Sequence, residues 1–172
     1  MALYHFSEDP DIRVFVPRPP LARPEVPPLV WAIDEWHQPM YFVPRDCPRV
    51  CFFPLPTTTE ADRDRFWSYV SGRMVVAIEA AWLQRLQTVR LCRYRMPDEA
   101  FESLNDAGMH VSKHTVVPLA LQVLEDLPRR LAEEDVELRI CRSLVPLGRA
   151  IIRSSMHFSL VRMRNARGWQ EG

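Results

Sequence analysis

Short, mostly apolar runs separated by polar or proline-containing turns dominate the first half of the chain. Runs of this length that are rich in β-branched and aromatic residues are typical of β-strands. The pattern predicts strands at Leu3–Phe6, Leu29–Ile33, Arg49–Phe53, Met74–Ile78 and Val89–Tyr94. Acidic and aromatic side chains gather where the second of these strands ends, and a short helix-compatible segment follows. Any pocket is expected to include this corner, because binding residues concentrate at strand ends and loops.

Capping residues at both ends of one segment give the clearest helix prediction. Thr58 or Thr59 caps a helix that runs to Ser71, with acidic residues in its first turn and Gly72 after its end. Further helical segments are predicted at 80–86, 98–104, 126–134 and 146–155, and further strands at 109–117, 119–123 and 136–141.

Six prolines lie between Val16 and Pro28, at positions 17, 19, 20, 24, 27 and 28. Proline lacks a backbone N–H and fixes φ, so this segment cannot be a helix or a central strand. We expect an extended segment that wraps over the domain. A solvent-exposed polyproline ligand is the alternative.

The order of the elements indicates the fold class. Short strands recur at uneven spacing, and the brief helices between them do not alternate with strands as regular βαβ units. This arrangement predicts a single α+β domain covering residues 1–172, with a mixed, largely antiparallel sheet and short flanking helices.

Charge and hydropathy exclude some classes of partner. The chain has 172 residues, with 22 basic and 22 acidic side chains, so no net charge draws it to nucleic acid or to an anionic membrane. No apolar run approaches the roughly 20 residues of a membrane-spanning helix, and the first residues do not resemble a signal peptide. We therefore expect a cytoplasmic protein with no membrane partner. The oligomeric state is left open.

The four cysteines contain no C-x-x-C pair. Three of them fall in predicted strands, where a free thiol behaves as a small buried apolar group. Cys47 lies in a proline-flanked turn and is expected to be the most reachable. A disulfide or metal pair of Cys47 with Cys51 is the alternative.

His110 and His114 have the spacing of two metal ligands on a helix. Their neighbours favour a strand, in which residues four apart lie about 13 Å from each other. We therefore expect no metal site.

The C-terminal segment is rich in arginine. From Arg142 to Arg167 there are six arginines and no acidic residue. Arg162, Arg164 and Arg167, with Asn165 and Trp169, are candidates for an RNA-binding strip, and a solvated surface is the alternative. The sequence contains no glycine-rich phosphate loop and no serine nucleophile elbow.

Three segments carry a resemblance to a known fold. Leu3 to Ser7, Val30 to Asp34 and Val111 to Leu119 resemble motifs of the H-Y-E branch of the ADP-ribosyltransferase fold. The resemblance implies an ADP-ribosyltransferase-like domain with NAD as cofactor. It places His5, Ser7, Trp31 and Met109 in the nucleotide site, with His5 at the adenosine ribose and Trp31 stacked on nicotinamide. His5 and Trp31 are expected to open into one cleft.

The same resemblance implies altered chemistry. The strand alignment puts Met109 where the family has its catalytic glutamate, and a thioether cannot stabilise a developing positive charge. The candidate substitutes are His110, Asp106 and Glu35, with Glu79 as a further acidic residue. Transfer activity is expected to be weak, altered or lost.

The whole chain also resembles a bacterial family of unknown function, through the stretches Val30 to Glu35 and Pro44 to Val50. That resemblance implies no activity. The alternative to the NAD-binding domain is a non-enzymatic module that binds RNA or a protein through the same cleft or through the arginine-rich segment.

Overall fold

Ten β-strands and four α-helices lie in the part of the chain that the computed structural model describes, residues 1–19 and 25–170. The strands are β1 (Leu3–Ser7), β2 (Val30–Asp34), β3 (Arg49–Phe53), β4 (Met74–Glu79), β5 (Leu91–Met96), β6 (Glu102–Ser103), β7 (Met109–Ser112), β8 (Ala120–Leu124), β9 (Val136–Cys141) and β10 (His157–Val161). The helices are α1 (Glu60–Phe66), α2 (Leu83–Thr88), α3 (Leu127–Glu133) and α4 (Val145–Ile152). Within the described ranges, no helix is long and apolar enough to cross a membrane.

These elements form two compact units, and each unit is assembled from two separate stretches of chain. The first unit contains Met1–Tyr41 and Arg90–Leu124, and the second contains Phe42–Val89 and Glu125–Gly172. The predicted α+β class with antiparallel and mixed strand pairing is confirmed, but the strands form two sheets where one sheet was predicted. The prediction that residues 1–172 form one domain stays a prediction.

A six-stranded antiparallel sheet forms the first unit, in the order β6-β7-β2-β1-β5-β8. One face carries an apolar cluster that consists of Leu3, Phe15, Val30, Ala32, Cys92, Tyr94, Met96 and Val116. Phe15 and Val116 exchange backbone hydrogen bonds of 2.8 and 2.9 Å, which hold the segment after β1 over this face. The hydroxyl of Tyr94 donates to the carbonyl of Asp9 at 2.7 Å and fixes the preceding turn.

In its described part, the proline-rich segment contains no helix, and it has a turn at Glu25 and a bend at Val26. Arg18 and Leu29 form an isolated antiparallel bridge that joins the two ends of the segment. The prediction that the segment is extended and wraps over the domain stays a prediction. Pro20 and Pro24, two of the six prolines in that prediction, lie outside the described residues.

A four-stranded sheet in the order β10-β3-β4-β9 forms the second unit. β4 and β9 are parallel, and the other neighbours are antiparallel. Every residue of the two central strands, β3 and β4, is buried, as expected for strands that are covered on both faces. The cluster packed on this sheet consists of Val50, Phe52, Phe66, Val75, Ala77, Leu144, Ile151, Met156, Met163 and Ala166.

α1 shows how local signals and packing combine. Thr59 caps the helix as predicted, because its hydroxyl accepts a hydrogen bond from the Asp62 N–H. The helix ends at Phe66, before the predicted end at Ser71. Phe66 and Trp67 both contact Phe52, at ring distances of 6.3 and 6.2 Å. Adjacent helical residues do not face the same side, so the backbone leaves the helix here.

Three other elements differ from the predictions. The strand predicted at 109–117 stops at Ser112, whose hydroxyl accepts a hydrogen bond from the His114 N–H and closes a turn. The helix predicted at 98–104 is a single 3-10 turn, Asp98–Ala100, followed by β6. β10 was not predicted, although it has the alternation of a strand and pairs along its whole length with β3.

Candidate functional site

Strand register decides which predicted site residues share a face of the first unit's sheet. Paired residues of an antiparallel ladder project to the same side, and successive residues alternate between the two sides. Leu3 and Tyr94 define the core face, which carries the apolar cluster. Tyr4 pairs with Ile33 and with Arg95, and these three residues define the second face.

His5 projects to the core face because it pairs with Tyr94. Its ring lies 4.6 Å from the ring of Phe15, which contacts Tyr94 edge-on at 5.2 Å. The Nδ1 atom of His5 lies 2.8 Å from the carbonyl oxygen of Trp31, so the imidazole is hydrogen-bonded to the backbone of β2. These contacts fix the orientation of the His5 ring within the core-face layer.

Trp31 projects to the second face, two residues before Ile33 on β2. Met109 pairs with Ile33 and lies on the same face, where the Tyr41 hydroxyl donates to its sulfur at 3.6 Å. His5 and Trp31 therefore point to opposite sides of the sheet. The prediction that both side chains open into one cleft is wrong, whereas the ligand roles of the individual residues stay predictions.

The remaining predicted site residues do not meet one another. Ser7 is buried at the end of β1, where its hydroxyl accepts a backbone hydrogen bond of 3.1 Å. His110 is buried, and its Nδ1 lies 3.0 Å from the carbonyl oxygen of Gly108. Asp106 and Glu35 are exposed in turns. Within the described ranges, no hydrogen bond joins the side chains of these four candidates.

Asp34 and His37 form a polar pair that was not predicted from the sequence. The Asp34 carboxylate accepts a hydrogen bond of 2.8 Å from the His37 backbone N–H and lies 2.8 Å from its Nδ1. Each side chain is only 19 % exposed. A carboxylate that holds one imidazole nitrogen orients the other one, as in many general bases. The signal in the sequence is an acid at a strand end with a histidine three residues later.

A surface pocket of about 220 Å³ lies on the first unit at β1, β5 and the edge strand β8. Its lining residues are Tyr4, Arg93, Arg95, Ala120, Leu121 and Gln122. We call it the arginine pocket. Register explains the convergence, because Arg93 pairs with Gln122 and Arg95 pairs with both Tyr4 and Ala120. None of its lining residues is acidic.

Arg93 is the most constrained residue of the arginine pocket. Its guanidinium lies over the Tyr4 ring, 4.7 Å from the centroid. One terminal nitrogen donates to the Gln38 side chain at 2.9 Å, and the other donates to the Gln122 side chain. Its Nε is buried without a hydrogen-bond partner. Among the described residues, Arg93 forms no ion pair, so neutral groups hold its charge in place.

The predicted arginine strip lies in the second unit. Trp169 is half-buried against α4, where a Cβ on Gly148 would come within 2.8 Å of its ring. The backbone N–H of Arg167 donates to the carboxylate of Glu79 at 3.2 Å. Glu79 is itself buried and also accepts a hydrogen bond from the N–H of Leu144. Its carboxylate therefore joins the residue before α4 to the C-terminal segment inside this unit.

The cysteines are free thiols within the described residues. The prediction that Cys47 is the most reachable is wrong, because Cys47 is fully buried and Cys141 is the one with partial exposure. Burial raises the pKa of the Cys47 thiol to about 12, although the nearby Arg49 acts in the opposite direction. Burial likewise raises the pKa of Cys51 to about 12. The part of the chain that the structure describes contains no group of three histidine, cysteine or acidic side chains placed to hold a metal ion.

Comparison with known proteins identifies a related family. The profile of a family of unknown function (DUF6886) matches residues 4–166, which is nearly the whole chain. This confirms the full-length resemblance to a family without an assigned activity. No curated protein and no solved structure matches the chain. The resemblance to the ADP-ribosyltransferase fold stays a prediction.

Proposed function

The chain belongs to the family of unknown function DUF6886, and we propose that it binds a small phosphate-bearing ligand of the nucleotide class at the arginine pocket. The main observation behind the proposal is that uncharged groups hold the Arg93 guanidinium. Its guanidinium is fixed by an aromatic ring and two amide side chains, without a carboxylate among the described residues.

The electrostatics of Arg93 favour an anionic ligand. A partly buried cation that is surrounded by neutral groups retains its full attraction for an anion, because no internal ion pair must first be broken. Phosphate and carboxylate oxygens match the planar donor arrangement of arginine. Arg95 lies on the same face and adds a second, exposed positive charge beside the first.

The size of the pocket limits how much of a ligand it can enclose. Pockets that bury most of a drug-sized molecule have volumes of roughly 300–1,000 Å³. A volume of about 220 Å³ accommodates a phosphate or a sugar phosphate, but it does not enclose a dinucleotide. The rest of a nucleotide would therefore lie on the surface outside the pocket.

NAD and ADP-ribose belong to this ligand class, so the proposal keeps the ligand that the ADP-ribosyltransferase resemblance implies. It changes the residues that hold the ligand. Trp31 and Met109 share the second face with the arginine pocket, whereas His5 projects to the other face. Transfer of ADP-ribose remains a prediction of weak or lost activity, since Met109 supplies no carboxylate.

Isothermal titration calorimetry with ADP-ribose, NAD and adenosine tests the proposal. We expect ADP-ribose and NAD to bind, and adenosine, which has no phosphate, to bind at least tenfold more weakly. Arg93→Gln should weaken ADP-ribose binding roughly 10–100-fold, since hydrogen bonds to charged groups contribute about 1.5–3 kcal/mol. Arg93→Lys keeps the charge but loses the planar donor pair, so it should give an intermediate affinity.

Arg13→Gln is the matched control. Arg13 is an exposed arginine of the same unit that is absent from the pocket lining, so its replacement removes the same charge elsewhere. Equal losses of affinity in the Arg13 and Arg93 variants would contradict the proposal, because they would reflect net charge alone. Adenosine binding as tightly as ADP-ribose would contradict it as well.

A further inference from the structure

Pairing of β10 with β3 gathers arginines from two distant stretches of the second unit. Arg49 pairs with Val161, so Arg162 follows directly beside the start of β3. The side-chain amide of Asn165 donates to the carbonyl oxygen of Asp46 at 2.7 Å, which ties the 3-10 turn Met163–Asn165 to the loop before β3. The result is a group that we call the arginine cluster, consisting of Arg45, Arg49, Arg162 and Arg164.

The cluster concentrates positive charge at one place on a chain that is neutral as a whole. Burial, and then the neighbouring Arg164, lowers the pKa of Arg162, and Arg45 and Arg49 act in the same direction. The nearby Asp46 carboxylate acts in the opposite direction on the pKa of Arg162. Among the described residues, Arg162 and Arg164 form no ion pair with an acidic side chain. Asp46 therefore compensates only part of the repulsion among these arginines.

The backbone at the cluster is strained. Arg162 has φ of 55°, in the left-handed region that residues with a Cβ rarely adopt. Such conformations persist where the surrounding structure imposes them, and they concentrate at functional sites. The strained residue, Arg162, is also half-buried and lies close to other arginines. An anionic ligand would offset the charge repulsion at this position.

We propose that the arginine cluster binds the phosphodiester backbone of nucleic acid, without recognition of base sequence. Arg45 and Arg164 are exposed and Arg162 is half-buried, so these three side chains can reach phosphates. Arg49 is buried and contributes only the electrostatic attraction of its charge. Trp169 is half-buried against α4, and the proposal assigns it no stacking role. The cluster thus supplies charge and planar donors, which are what backbone contacts need.

Fluorescence anisotropy with a short labelled single-stranded RNA of mixed sequence tests this proposal, with duplex DNA of the same sequence as a second arm. Each phosphate contact contributes a slope of about −0.7 in a plot of log K against log salt for single strands. Three contacts predict a slope of about −2. The double variant Arg162→Gln with Arg164→Gln should reduce that slope by about 1.4 and weaken binding at low salt by about tenfold or more.

Glutamine at position 162 meets the same backbone strain as arginine, so the variant is expected to fold, and circular dichroism checks this. The matched control is Arg149→Gln with Arg153→Gln, which removes two exposed arginines on and just after α4 of the same unit. Its affinity should remain within about twofold of the unmodified protein, since it loses no phosphate contact. We expect the cluster variant to lose affinity for both RNA and DNA, and the control variant to retain it.

Three outcomes would overturn the proposal: no binding by the unmodified protein, equal losses in both double variants, or an affinity that depends strongly on base sequence. The proposal does not rest on the arginine pocket of the first unit. Arg93→Gln should leave RNA binding unchanged while it weakens ADP-ribose binding, so failure of either proposal can be told from failure of the other.

Discussion

Replacement of Gly108 by alanine should destabilise the protein more than any other single-methyl addition at a glycine with positive φ. Gly108 has φ of 72° and lies in the turn before β7. A Cβ at this position would lie 2.6 Å from Asp34 Oδ2 and closer still to His37 Nδ1. Gly108→Ala therefore combines backbone strain with displacement of the Asp34 and His37 pair.

The expected magnitude follows from two contributions. Left-handed backbone costs a residue with a Cβ about 1–2 kcal/mol. Displacement of the imidazole breaks the hydrogen bond of its Nδ1 to the Asp34 carboxylate, with a net contribution of about 1 kcal/mol. Together the two contributions predict a loss of about 2–3 kcal/mol in the free energy of unfolding, which urea denaturation followed by tryptophan fluorescence can measure.

Gly168→Ala is the control that isolates the backbone contribution. Gly168 has φ of 78°, but no atom lies within 4 Å of its added Cβ, so only the strain of about 1–2 kcal/mol applies. A second test is a double-mutant cycle of Gly108→Ala with His37→Ala, which should show coupling because the smaller side chain removes the clash of the added Cβ with the His37 ring. Equal losses at the two glycines, together with additive effects in the cycle, would refute the reasoning.

Three further predictions concern acid stability, thiol reactivity and catalysis. Hydrogen bonds from the side chain and backbone of Ser155 lower the pKa of Asp62 in the folded protein. The contribution of Asp62 to stability is therefore fully present above about pH 4, where its carboxyl titrates in the unfolded chain. That contribution is lost as the pH falls through the lower pKa of the folded protein. Asp62→Asn should reduce stability at neutral pH and flatten the decline below pH 4 in thermal unfolding, and an unchanged decline would contradict this. In the folded protein, Cys141 should react first with a thiol reagent at mild alkaline pH, and Cys47 should react only after denaturation, because its burial raises its pKa to about 12. An early label on Cys47, detected by mass spectrometry of the labelled protein, would contradict this order of reaction. Release of nicotinamide from labelled NAD should be negligible, since Met109 supplies no carboxylate, and turnover by the unmodified chain would disprove that expectation.

Local signals in the sequence were sufficient for the elements whose ends are encoded nearby. The cap at Thr59 and the strands β1 to β5 were predicted close to their observed bounds, because capping and apolar runs act over a few residues. The end of α1 was not predicted correctly, since contacts with Phe52 on a separate strand decide where the helix ends. The Asp34 and His37 pair is local and could have been found from its spacing.

Register was decided only by the tertiary structure, and register determines the candidate sites. Whether His5 and Trp31 share a face depends on how β1 and β2 pair, and a shift of one residue would reverse the answer. Arg93 meets Gln122 only because β5 pairs with β8, and Arg162 lies beside Arg49 only because β10 pairs with β3. Such pairings join residues far apart in the chain, and their free energy comes from packing of whole faces. The sequence alone therefore determined which side chains were available, and the sheet decided which of them meet.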